Sequence, residues 1–313
     1  MRRTFYIVGP TATGKSELAA DVAQELGAEI VSADAFQIYG GLDLLSAKPS
    51  LAVLAQVPHH LIGTQSNQEQ MSAEKFRAAA VAAISEIHSR GKMAVVVGGT
   101  GLYIKALTHG LAKLPEIDPR LREKLNASSM NELRAQLIGL DPDAAHTIDM
   151  KNRRRVARAL EICLLTGKPV SSQRTQWKSV AGIVDPGPRS TITAANGVFV
   201  FRERDDLYQR INSRVTAMFE SGVTEEVRTA GTIGETASKM IGLREIRELL
   251  DGKMSIPQCV AAIQQSTRRY AKRQLTWFRR QPSFEPLNLS PLTHKQAVKW
   301  ITHRARRAVQ GND

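Results

Sequence analysis

Eight residues near the start of the chain, Gly9-Pro-Thr-Ala-Thr-Gly14-Lys15-Ser16, narrow the possible folds more than any other feature. They complete a G-x-x-x-x-G-K-S pattern. Such a turn can aim several backbone N–H groups at one phosphate only when it sits between a buried strand and the first turn of a helix. Both flanks are present. Thr4 to Val8 is a short β-rich apolar run, and a helical pattern extends from Glu17 to Leu26 with Gly27 as its stop signal. Gly9, Thr11, Ala12, Thr13 and Gly14 are therefore candidates for a phosphate cradle. Lys15 adds a mobile point charge, and the Ser16 hydroxyl is placed to ligate Mg2+.

Further along, Ala28 to Val31 reads as a second buried strand ending at Ser32-Ala33-Asp34. A long alanine-rich helix covers Ala73 to Arg90, closed by Gly91. Met93 to Val97 is continuously apolar, as a strand covered on both faces must be. Strands alternating with helices predict a parallel α/β sheet. After Leu111 the strand signals stop. Residues 119–166 look helical, with breaks at Asp141-Pro142 and Gly167-Lys168-Pro169, and 179–196 reads as a loop. A strand at Gly197 to Phe201 and helices over 206–230 and 256–280 follow. The expected architecture is an α/β P-loop core, a parallel sheet flanked by helices, formed by residues 1–111 and 197–285. An all-helical insertion (112–196) interrupts it, and a basic tail (286–313) follows.

Charge bears on the partner. Forty-three Lys and Arg against thirty Asp and Glu leave a formal +13, which points to a polyanion, nucleic acid first. Within the insertion, Lys151, Arg153, Arg154, Arg155 and Arg158 form a basic run in which Arg154 and Arg158, one turn apart, share a helix face. A clamp on an RNA backbone is the reading favoured here. Cys163 and Cys259 form no metal pattern and are expected as reduced core residues, and the His59-His60 pair lacks a third ligand and is read as structural. The first apolar run is too short for a signal peptide and no stretch reaches a membrane span, so a cytoplasmic monomer is expected. The loop alone also suits ATP or GTP hydrolysis or a kinase. Yet Val95-Val96-Val97-Gly98-Gly99-Thr100 ends the third strand without an acid, leaving only Asp34 to organise a metal in that role.

Several stretches together resemble the bacterial tRNA dimethylallyltransferases, also called tRNA isopentenyltransferases, from Ile7 to about Arg280. They are 9–16; Ser-Ala-Asp-Ala-Phe-Gln-Ile-Tyr at 32–39; Ala-Lys-Pro at 47–49; Pro-His-His-Leu at 58–61; Gly-Gly-Thr-Gly-Leu-Tyr at 98–103; Arg-Arg-Val-Ala-Arg-Ala-Leu-Glu at 154–161; Arg-Ile-Asn-Ser-Arg-Val at 210–215; and Tyr-Ala-Lys-Arg-Gln-Leu-Thr-Trp-Phe at 270–278. The resemblance implies transfer of a dimethylallyl group from dimethylallyl diphosphate to the exocyclic amine of the adenosine just 3′ of the anticodon, in a channel through the core. It implies Asp34 as the base, with Thr100 and Arg214 at the reacting centre, and residues 9–16 with Mg2+ on the diphosphate. By the same resemblance the anticodon stem-loop of tRNA would touch Asp34, Ala35, Phe36, Gln37 and Thr100. Arg122, Arg154, Arg155, Val156, Ala157, Arg158, Lys239 and Arg244 would complete that contact set. From the residues alone Asp34 could equally be a helix cap or a metal ligand, and Arg214 would be a surface residue of a helix.

The chain departs from the family pattern at Ala35, where Ser is usual, at Leu45-Ser46 for Gly-Thr, and at Gly63 for an acid. Asp149-Met150-Lys151-Asn152 replaces a His-Pro-Asn-Asp-like turn, and Leu243 replaces a Tyr.

Overall fold

The computed structural model describes residues 4–111, 115, 118–174 and 196–310. Two compact units emerge, Met1–Thr108 with Thr191–Asp313, and His109–Ser190. The first is built on strands β1 (Thr4–Val8), β2 (Glu29–Ser32), β3 (His59–His60), β4 (Ala94–Gly98), β5 (Gly197–Phe201) and β6 (Phe284–Asn288). All pair in parallel, in the order β3-β2-β4-β1-β5-β6. Parallel neighbours need long crossovers, which place helices on both faces. In this unit these are α1 (Lys15–Leu26), α2 (Leu51–Leu54), α3 (Ala73–Ser89) and α4 (Gly101–His109).

The period of two along each strand distributes side chains between two apolar layers. Phe5, Ile7, Val95, Val97, Val198 and Val200 enter the layer with Leu18, Ala19, Val22 and Ala23 of α1. Tyr6, Val8, Ala94, Val96 and Phe199 enter the other, against Phe76, Ala80 and Ile87 of α3 and Ile104 of α4. Burial on both faces explains why these strands are continuously apolar in sequence.

The insertion unit folds as α5 (Pro119–Ala127), α6 (Met130–Leu140), α7 (Ala144–Thr147), α8 (Arg153–Thr166) and α9 (Val170–Arg174). Leu125, Leu133, Leu137, Val156, Leu160 and Cys163 form a core of its own. Asp141, one of the expected breaks, ends α6 and is buried, accepting the N–H and hydroxyl of Ser171 at 2.7 Å each. All but the last residue of the loop expected over 179–196 lies outside the described residues.

Back in the first unit come α10 (Arg204–Glu220), α11 (Val223–Thr229), α12 (Leu243–Leu250), α13 (Ile256–Phe278) and α14 (His294–Gln310). The helix expected over 206–230 is two, parted at Gly222 in the left-handed region (φ 92°). The tail requires a correction. Residues 286–310 of the tail are not an appendage: they finish β6 and form α14, whose Ala297, Val298, Ile301 and Ala305 lie buried in the α1 layer. A helix dense in Lys and Arg looks solvated in sequence, but its apolar stripe at helical spacing packs beside α1 in the layer on one side of the sheet. Ile301→Ala is expected to cost about 2–5 kcal/mol, seen as a lower urea midpoint at unchanged m-value.

Candidate active site

β1 delivers the chain into the phosphate loop at Gly9, where a Cβ would stand 2.1 Å from the Val200 carbonyl oxygen, so no side chain fits. Ala12 takes a left-handed conformation (φ 64°), which costs an L-residue roughly 1–2 kcal/mol. Neighbours hold it there. Arg210 Nε donates to the Ala12 carbonyl at 3.0 Å, Arg202 Nε to the Thr13 carbonyl at 2.9 Å, and the buried Thr13 hydroxyl to the Pro10 carbonyl at 3.0 Å. α1 then starts from Gly14 with no side-chain cap, leaving its first-turn N–H groups available to an anion.

The loop opens on a cavity of about 800 Å3. Thr11, Ala12, Gly14, Lys15 and Ser16 line it from one side, Asp34 and Gln37 from another, and Arg214 from α10. Gly9, Thr13, Ala35, Phe36 and Thr100, also singled out in sequence, do not line it. The Thr13 side chain is wholly buried, so what it offers a ligand is backbone.

Burial pushes the Lys15 ammonium down to about 8; the Asp34 charge opposes this and the Arg214 charge adds to it. Arg214 is also shifted downward, chiefly by burial. Its Nη1 donates to Thr11 Oγ1 at 3.0 Å, while its buried Nε has no partner. It is thus no surface residue, contrary to what helical spacing alone implies. A diphosphate in this cavity would stabilise the protonated Lys15 and raise its pKa. The Lys15 contribution to pyrophosphate affinity should therefore be full and independent of pH below about pH 8 and be lost as pH rises past it, by up to about tenfold per pH unit. Calorimetric titration of pyrophosphate across that range, with Lys15→Gln as the variant that lacks this slope, measures it.

Asp34 stands just past the end of β2 in a backbone-bonded turn. Its Oδ1 accepts the N–H groups of Phe36 (2.9 Å) and Gln37 (3.3 Å). Oδ2 has no hydrogen bond among the described residues. One oxygen orients the carboxylate, and the other is left open. Thr100 acts from behind: its Oγ1 accepts the Ala35 N–H at 3.0 Å, and its own N–H reaches the Ala33 carbonyl at 3.4 Å. Gln37 donates through Nε2 to the Ala47 carbonyl at 2.9 Å, so its amide oxygen remains as acceptor.

Residues around the loop went unnoticed in sequence. Arg202, Arg210 and Gln274 hold its backbone, yet nothing but Arg210's place in 210–215 and Gln274's in 270–278 marked them. Lys48 lines the cavity and pairs with Asp43. At Gly63 (φ 64°) a Cβ would lie 3.5 Å from Lys48 Nζ, so an acid there would meet the same ammonium that Asp43 takes here. Leu45 and Leu243, two other departures, are buried in one apolar cluster. The histidine pair is structural in one half: His60 Nε2 binds the buried Glu29 at 2.8 Å, which Arg90 and Lys92 also contact, whereas His59 lines the cavity.

In the insertion the expected tRNA contacts separate. Arg154 and Arg155, with Lys151, are exposed and make no side-chain bond or ion pair among the described residues. Val156 and Ala157 are buried in the unit's core, so their side chains present nothing to RNA. Arg122 and Arg158 both turn onto the fully buried Glu161, and Arg158 also donates to the Pro115 carbonyl at 3.0 Å. The shared face of Arg154 and Arg158 is thus divided, because a buried carboxylate demands charged partners. Arg153 caps the end of α5 through carbonyls of Leu125 and Asn126. In the first unit, Lys239 pairs with Glu235 at the surface, and the exposed Arg244 pairs with the buried Glu245.

A parallel sheet with a glycine-rich loop leaving the carboxyl end of β1 and an acid just past the carboxyl end of β2, both on one cavity, defines a P-loop α/β protein. Residues 37–281 match the family model described as IPP transferase. The tRNA dimethylallyltransferase 1 of Citrifermentans bemidjiense is 43% identical over 280 residues, covering 88% of this chain and 89% of that protein. The tRNA dimethylallyltransferase of Geobacter sulfurreducens is 40% identical over 307 residues, covering 96% and 91%. The chain belongs to the IPP transferase family. Among solved structures, the full-length tRNA isopentenylpyrophosphate transferase of Bacillus halodurans superposes with a TM-score of 0.68 at 32% identity, covering 99% of each chain. A eukaryotic dimethylallyltransferase acting on tRNA shares the fold, with a TM-score of 0.80 at 23% identity over 99% of this chain and 80% of that one.

Proposed function

We infer that this chain transfers a dimethylallyl group from dimethylallyl diphosphate to the exocyclic amine of the adenosine 3′-adjacent to the anticodon in tRNA. The observation that carries the reading is the opening of the phosphate loop and the Asp34 carboxylate on one cavity, with one carboxylate oxygen already pinned by backbone. That is the geometry a displacement at an allylic carbon requires.

Adenine's amine is a weak nucleophile because its lone pair is delocalised into the ring. As the nitrogen bonds to the first carbon of the prenyl group, the carbon–oxygen bond to diphosphate breaks and the diphosphate departs with the electron pair. The amine proton passes to Asp34. Positive charge spreads over the allyl group and negative charge over the leaving oxygens. Lys15, Arg214 and the N–H groups opening α1 are preorganised for the latter in a partly desolvated site.

The donors fit Mg2+. The Ser16 hydroxyl lines the cavity, as does Ser32, whose buried Oγ has no partner. No cluster of three His, Cys, Asp or Glu able to hold a metal occurs among the described residues, which suits an ion that keeps most of its water and takes phosphate oxygens. Bound there, Mg2+ would neutralise charge accumulating on the diphosphate.

The exposed Arg154, Arg155 and Lys151 favour a polyanionic acceptor over a free nucleotide. The target base, in a loop, is cheap to unstack. Among the described residues no helix is long and apolar enough to cross a membrane. The deciding experiment incubates the protein with labelled dimethylallyl diphosphate and Mg2+, offering unmodified tRNA, AMP, or ATP with no acceptor. Label on tRNA and none on AMP is expected. Label on AMP, or phosphate release from ATP with no prenyl transfer, would refute the assignment.

A further inference from the structure

We propose that Gln274 is a positioning residue that locks the phosphate loop to the turn carrying Thr100, and so sets the separation between the diphosphate and Asp34. The proposal rests on the cavity being the donor site.

Gln274 lies on α13 and is only 6% exposed, a place where an apolar residue would normally fill space. Its amide is satisfied at both ends by the backbone of two different loops. Oε1 accepts the Thr11 N–H at 2.9 Å, in the loop that follows β1. Nε2 donates to the Gly99 carbonyl at 2.8 Å, in the turn that follows β4. The approach is so close that a Cβ on Gly99 would stand 2.3 Å from Nε2.

The same face of α13 repeats the theme at helical spacing. Tyr270, one turn earlier, lies close to Thr100. Trp277, one turn later, packs where a Cβ on Gly101 would come within 2.7 Å of its ring. Thr100 in turn holds the Ala35 N–H, next to the base. An unbroken series of bonds therefore runs from Thr11 through Gln274, Gly99, Thr100 and Ala35 to Asp34. A buried amide with donor and acceptor both engaged has one arrangement, so the series transmits position rather than merely filling volume.

Gln274→Met keeps the volume and removes both bonds. Displacing reacting groups by about an ångström costs on the order of 100-fold, so kcat for tRNA prenylation should fall by roughly 30- to 100-fold. Inorganic pyrophosphate affinity, measured calorimetrically with Mg2+, should weaken by about tenfold, and tRNA affinity should change less than about twofold. Gly99→Ala attacks the same link from the other side and guards against a misfolded Met variant. Its loss should be similar, and the double variant should be no worse than the poorer single one. Gln274→Met with kcat and pyrophosphate affinity both within about twofold of the parent overturns the proposal. So does a loss shared equally by tRNA affinity and melting temperature in both variants, since that is packing. The pyrophosphate arm reads the loop whether or not a prenyl group moves; an unmodified protein that prenylates no tRNA counts against the functional reading, not against this link.

Discussion

Asp34→Asn is expected to lower kcat for prenyl transfer by about 10²- to 10⁴-fold, the range lost with a general base, while leaving tRNA affinity and melting temperature near the parent values. The substitution is chosen for what it keeps. The Asn oxygen can still accept the N–H groups of Phe36 and Gln37 that Asp34 Oδ1 takes at 2.9 and 3.3 Å, so the turn survives. What disappears is the ability of the second oxygen to receive a proton. Single-turnover rates with saturating donor and tRNA, beside a filter-binding curve for tRNA, make the measurement. Unchanged turnover would remove Asp34 from the base role, and equal losses of rate and tRNA affinity would make it a recognition residue instead.

Arg214→Ala should cost about 10²- to 10³-fold in kcat, as loss of a preorganised charge at a developing oxyanion does, and Arg214→Lys should recover little of it. The guanidinium is partly buried, gives Nη1 to Thr11 Oγ1 at 3.0 Å, and keeps a buried Nε unpaired. A lysine can bring charge but cannot hold Thr11 and present a second N–H in a fixed fork. Burial lowers the pKa of the arginine, which shows how little water stabilises its charge before a substrate does. Kinetics of the two variants with dimethylallyl diphosphate decide it. Full rescue by lysine would mean that Arg214 acts as a simple point charge.

The phosphate loop was legible because its function depends on local backbone geometry. Glycine spacing, the preceding apolar strand and the following helix all lie within residues 4–26, so the sequence carries them directly. Burial of β1 and β4 was legible for a related reason: two apolar faces leave almost no polar position in the strand. The role of α14 was hidden, because its mean composition is basic and only docking on α1 shows which stripe is inside. The insertion misled in the same way. Arg154 and Arg158 share a helical face by spacing, but Glu161, buried at a position the charge pattern does not flag, draws Arg158 inward and pairs it beside Arg122.

Short-range order, then, was written in the chain: where a strand gives way to a phosphate-binding turn, which segments must be covered on two sides, and that an acid follows the second strand. Three-dimensional packing settled which cations face the cavity, which Arg residues are spent on a buried carboxylate, and how Gln274 meets Thr11 across 263 residues of sequence. Such encounters depend on where distant helices dock against the sheet, and docking is decided by the fit of whole surfaces, which no short window of residues contains.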